Sequence, residues 1–101
     1  MPPALDPVIH APIRLQVCAM LAQADTIDFA TIREMLDVSE SVLSKHVKTL
    51  EEAGYVAVRK AASDGRQRTW LSLTGAGRKA FAAHAAALRA LVGDAGKAAA
   101  E

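Results

Sequence analysis

The sequence predicts a mainly α fold with one small β-hairpin, an α+β chain ordered helix, short strand, helix, helix, hairpin, helix. Three observations predict it. Apolar residues recur at spacings of three and four in several separate stretches, which marks amphipathic helices. Between Tyr55 and Leu73 the apolar residues instead form β-rich runs, which marks half-buried strands. Between those runs stands Asp64-Gly65, the dipeptide that a tight hairpin turn favours.

Each element follows from its own residues. Asp6-Pro7 and Ala11-Pro12 punctuate the start, and proline suits the first turn of a helix. From Pro12 to about Gln23 the stripe Ile13, Val17, Met20 and Leu21 defines the first helix. Thr26-Ile27-Asp28 is a brief extended link. Asp28 is placed to cap a second helix, Phe29–Leu36, with Ile32, Met35 and Leu36 pointing inward. Asp37-Val38-Ser39 forms a tight turn, and Ser39 caps the third helix, Ser39–Ala53, a cap worth about 1 kcal/mol. Val42, Leu43, Val47 and Leu50 form its apolar stripe, and Gly54 stands where a left-handed residue ends it. Tyr55, Val56 and Val58 then face Trp70, Leu71 and Leu73 across the polar tip Ala62–Arg66. Trp70, an isolated tryptophan beside two leucines, reads as core in preference to a base-stacking platform. Thr74 caps a last helix that runs through Arg78, Phe81, Leu88, Leu91 and Val92. Residues 1–92 thus make one domain that includes the helix 75–92, and residues 93–101, with two glycines and an alanine-rich end, read as a frayed, disordered tail.

A chain of 101 residues with 51% apolar and 23% charged side chains reads as one globular domain. Its core must rest on aliphatic residues, because Phe29, Tyr55, Trp70 and Phe81 are the only aromatics. No apolar run approaches the ~20 residues of a membrane span, and the start lacks the basic and apolar regions of a secretory signal. Cys18 stands alone, which rules out an intrachain disulfide and reads as a buried thiol on the first helix. Together these features favour the cytoplasm. His10, His46 and His84 lie far apart and lack the close spacing of a metal site. No phosphate-binding loop, nucleophile motif or carboxylate pair is visible, so the reading is of a chain that is not an enzyme and needs no cofactor.

The formal net charge of +1 hides an uneven distribution. Residues 1–38 carry a net −3, residues 39–79 a net +4, and residues 80–101 balance. The positive charge is concentrated in the third helix and the hairpin, where a polyanion would be met. The order of elements is that of a winged helix-turn-helix.

The run from Phe29 to Val56, FATIREMLDVSESVLSKHVKTLEEAGYV, resembles the helix-turn-helix of MarR-like and ArsR-like bacterial repressors. The run from Ser63 to Arg78, SDGRQRTWLSLTGAGR, looks like the wing and the next helix of the MarR-like group. The chain is most similar to a compact branch of that group, the winged-helix DNA-binding domain regulators, over roughly residues 8–92. Typical members are longer at both ends, so their dimer geometry and ligand pocket are not carried over. The resemblance implies a sequence-specific regulator of transcription, a dimeric repressor, bound to double-stranded DNA with no membrane partner and no indicated small-molecule effector.

The major groove, about 12 Å wide, admits an α-helix whose outer face is short, polar or basic. Ser39, Ser41, Ser44, Lys45, His46 and Lys48 of helix 39–53 suit that role. In the family, wing arginines enter the neighbouring minor groove or grip its phosphates, which assigns that role to Arg66 and Arg68, with Gln67 between them. Arg59 is a weaker candidate, as are Lys60 and Arg14. Asp64 reads as a turn residue that bonds the hairpin backbone. The last helix offers Phe81, Ala85, Leu88, Leu91 and Val92 along one side, and with Leu5, Val8 and Ile9 these form the expected dimer interface. The alternative is a winged helix that serves as a protein-interaction module without DNA binding, which gives no reason for the basic helix and hairpin.

Overall fold

A computed structural model describes residues 4–100. Its helices are α1 (Pro7–His10), α2 (Pro12–Ala22), α3 (Phe29–Leu36), α4 (Glu40–Glu52) and α5 (Gly75–Ala100), and its strands are β1 (Ile27–Asp28), β2 (Val56–Ser63) and β3 (Arg66–Leu73). The strands make one antiparallel sheet in the order β1-β3-β2. Side chains alternate across a strand, and the pairing Ile27–Leu71–Val58 with Val56–Leu73 lines up one apolar face. That face closes a core with Ile9, Val17, Cys18, Leu21, Ile32, Leu43, Val47 and Leu50.

The turn chemistry acts as the sequence requires. Ser39 Oγ accepts the Val42 N–H at 3.2 Å, capping α4. At the other end Gly54 adopts φ +80°, the Tyr55 N–H reaches Leu50 O at 3.0 Å, and the Gly54 N–H reaches Glu51 O at 2.9 Å. These two bonds are the paired closure of a helix end that turns through a left-handed residue. Asp64 and Gly65 have φ of +54° and +76°, the two positive values of a hairpin turn whose twist matches its strands. Thr74 Oγ1 accepts from the Gly77 N–H at 2.9 Å and donates to Gly54 O at 2.6 Å, so the start of α5 is fastened to the end of α4.

Several expectations are corrected. The expected first helix is α2, but a further short helix precedes it: Asp6 Oδ1 accepts from the Val8 N–H and caps α1, which the Ala11-Pro12 step separates from α2. Asp28 stands at the head of α3 but makes no capping bond, because its carboxylate is taken by side chains. Met35 is exposed and Val42 is 40% exposed, since periodicity marks a side of a helix but not how far its neighbours cover it. Trp70 is half-buried outside the core cluster, because alternation along β3 sends it to the face opposite Leu71 and Leu73. The Asp64 side chain makes no hydrogen bond among the described residues; its left-handed backbone is its contribution to the turn. α5 continues to Ala100 through the stretch that reads as a frayed tail, while Met1–Pro3 and Glu101 lie outside the described residues.

Candidate nucleic-acid interface

At 100° per residue, Ser41, Lys45 and Lys48 fall within roughly 60° of arc on α4, and all three are exposed. Val42, 40% exposed, borders that arc and adds an apolar edge to it. Ser39 is exposed at the head of the helix, with its hydroxyl engaged as the cap. Ser44 is also exposed and extends the arc by about 40° beyond Lys48, on the side where it lines a groove with Glu40, Glu51, Val58 and Thr69. His46 is half-buried. Its Nδ1 accepts a hydrogen bond from an Arg14 guanidinium N–H at 3.0 Å, which fixes the proton on Nε2. Burial, then Arg14 and Lys45, hold its pKa below the usual histidine range. His46 therefore presents a neutral ring, while Arg14 acts as its support.

The wing divides its basic residues. Arg59 and Lys60 on β2 and Arg66 and Gln67 at the start of β3 are exposed. Arg68 is not free in the same way: its guanidinium meets Asp28 Oδ2 at 3.1 Å. Asp28 also accepts from the Thr31 hydroxyl. The Thr31 bond, and after it Arg68, hold the Asp28 carboxyl below its usual range against the opposing effect of burial. This was the functional arrangement least visible in the sequence, since Asp28 and Arg68 are forty residues apart.

The expected dimer residues are also sorted. Ile9 lies wholly inside the chain's own core, so it cannot serve a partner, and Val8 and Phe81 pack against that core. Leu5, Ala85 and Leu88 are half-buried. Leu91 and Val92, at 59% and 66% exposure, stand on α5 beyond Ala87, the last buried residue of that helix among the described residues.

A part-buried polar cluster gathers around α1, with His84 as its buried member. Tyr55 Oη donates to Asp6 Oδ2 at 2.7 Å, the Asp6 N–H donates to His84 Nδ1 at 2.9 Å, and His84 Nε2 lies 3.4 Å from His10 Nδ1. Burial would raise the Asp6 pKa, but the bonds from Tyr55 and the Val8 and Ile9 amides outweigh it and hold it low. Among the described residues no group of histidine, cysteine and carboxylate side chains is arranged to hold a metal ion. Cys18 is fully buried, and burial pushes its thiol up to about 11, so it carries little thiolate at neutral pH. No helix among the described residues is long and apolar enough to cross a membrane.

Comparison with known proteins agrees with this architecture. Residues 13–92 match the family described as winged helix DNA-binding domain. The uncharacterized protein MJ0432 of Methanocaldococcus jannaschii is 31% identical over 74 residues, covering 73% of this chain and 80% of that protein. The transcriptional regulator homologue protein from Pyrococcus horikoshii OT3 superposes with a TM-score of 0.81 at 26% identity, over 86% of each chain. The putative transcriptional regulator ytfH from Salmonella typhimurium gives 0.72 at 19% identity, over 92% of this chain and 82% of that one, a likeness of fold alone. With its helix-turn-helix, its wing and its MarR-like motifs all inside the matched span, the chain belongs to the winged helix DNA-binding domain family of transcription regulators.

Proposed function

We propose that the chain is a sequence-specific regulator that sets α4 in the major groove of duplex DNA and lays the wing over the adjacent minor groove or backbone. The observation that carries this reading is the joint exposure of Ser41, Lys45 and Lys48 on α4 and of Arg66 and Gln67 at the wing tip. A groove-reading helix needs short and basic side chains on its outer arc, and a narrow minor groove draws arginine by its negative potential. Val42, at the edge of that arc, is suited to an apolar contact with a thymine methyl group. Ser44 borders the arc, Ser39 stands at the head of α4 and His46 on its flank, and Arg59 and Lys60 supply backbone charge from β2. The chain works in the cytoplasm as a dimeric repressor. Leu91 and Val92, with Leu88 and Ala85, offer the partner surface along α5, which would otherwise leave those apolar side chains in water.

Replacing Arg66 with Ala is expected to weaken binding to every duplex by about tenfold and to reduce the salt slope of log K by about 1, as the loss of one phosphate contact should. Substitution of Lys45 or Ser44 should instead change which duplex is preferred. Fluorescence anisotropy across a salt series checks both, and an unchanged affinity and slope in the Arg66 variant would remove the wing from the reading.

A further inference from the structure

The wing is a long hairpin with little to lean on. β1 pairs with β3 only at Ile27–Leu71 and Asp28–Trp70, so from Thr69 to the tip the sheet has two strands. A two-stranded hairpin is marginally stable by itself in water. Among the described residues, the only side-chain hydrogen bond from residues 60–69 to the rest of the chain is that from Arg68 to Asp28. Arg68 Nε is buried without a partner, so the inner part of the guanidinium lies against the fold while 38% of the side chain remains exposed. Asp28 is itself fixed from the other side by the Thr31 hydroxyl, one turn into α3. α3 leads through Asp37-Val38-Ser39 directly into α4.

From this juxtaposition we infer that Arg68 and Asp28 form a positioning clamp that fixes the wing relative to the helix-turn-helix, and that Arg68 is not a phosphate contact. The clamp lies two residues, roughly 7 Å of strand, from Arg66. It therefore sets where Arg66 meets DNA while α4 sits in the groove. Arg66 and Arg68, which look equivalent in the sequence, have different tasks. The inference rests on the DNA-binding reading above.

The test compares R66Q, R68Q, D28N and the D28N/R68Q double variant of the full chain, on a duplex selected by the wild type, across a potassium chloride series. R66Q should lose affinity and about one unit of salt slope. R68Q and D28N should each weaken binding by about tenfold with the slope unchanged, and the double variant should be no weaker than either single one, as partners in one contact behave. The sign for D28N is diagnostic, because removing a carboxylate from a DNA-binding surface by itself favours a polyanion. Tighter binding by D28N, or a slope loss in R68Q equal to that in R66Q, would overturn the clamp. A second readout needs no DNA: 15N relaxation of Gly65–Gln67 should show greater mobility in R68Q and D28N at an unchanged melting profile of the helices. Unchanged mobility would overturn the clamp too. A wild type that binds no duplex would instead overturn the DNA reading, leaving the relaxation data to decide the clamp.

Discussion

Replacing Gly77 with Ala is expected to lower the stability of the fold by about 3 kcal/mol or more, at the upper end of what overpacking costs. A Cβ at this position would lie 2.0 Å from the backbone oxygen of Tyr55 and 2.8 Å from its carbonyl carbon. Backbone cannot swing aside as a side-chain tip can. Relief would require α5 to lift from the chain that leaves α4. That movement would break the bond from the Thr74 N–H to Tyr55 O at 3.0 Å and strain the Thr74 cap on the Gly77 N–H. A domain of this size has about 5–15 kcal/mol of total stability, so the loss is a large fraction of it. Denaturant titration should show a lower midpoint at an unchanged slope. Gly75→Ala is the control: nothing lies within 4 Å of a Cβ there, and the change should be close to neutral. Equal behaviour of the two variants would contradict the close approach of α5 to Tyr55.

The second large effect is a loss of stability in mild acid, centred on His84. This ring is 1% exposed and accepts the Asp6 N–H through Nδ1, so the proton of the neutral form resides on Nε2, facing His10. Protonating Nδ1 would set one N–H against another. Burial pushes the His84 pKa below its ordinary 6.5 and His10 pushes further, while the Asp6 carboxylate opposes them. A histidine whose pKa is depressed by folding binds its proton more readily in the unfolded chain. Its contribution is therefore fully present above pH 6.5 and is lost as pH falls from there through the folded value. The slope it adds is at most about 1.4 kcal/mol per pH unit, the value for one proton. His46, also depressed, adds to the same window, with Arg14 and Lys45 as its charged neighbours. Urea midpoints measured from pH 7.5 to 5 should fall in the wild type and fall less steeply in His84→Asn. Identical slopes would show that His84 does not titrate with folding.

These two sites illustrate what the sequence makes legible and what it does not. Helix stripes such as Leu43, Val47 and Leu50, the caps at Ser39 and Thr74, and the Asp64-Gly65 turn depend on neighbours a few residues away, so spacing alone reveals them. The basic arc of α4 and the wing tip are legible for the same reason, because both are local patterns on one element. The Tyr55–Asp6 bond joins residues 49 apart, and the Asp6–His84 bond joins residues 78 apart, so no local pattern announces either. His10 and His84, which spacing separates, come together only when α1 folds against α5. Val42 and Ile9 show the complementary difficulty. Each is an apolar residue on an expected surface or stripe, and only the cover supplied by other elements decides that Val42 is exposed and Ile9 is buried.

The central claim, that α4 and the wing read duplex DNA together, is tested most directly by selecting bound duplexes from a random pool and measuring the affinity of the full chain for the selected duplex and for its scrambled form. The expected result is a recovered consensus bound at least about a thousandfold more tightly than the scrambled duplex at physiological salt. Equal affinity for the two, or no retained duplex at all, would contradict it.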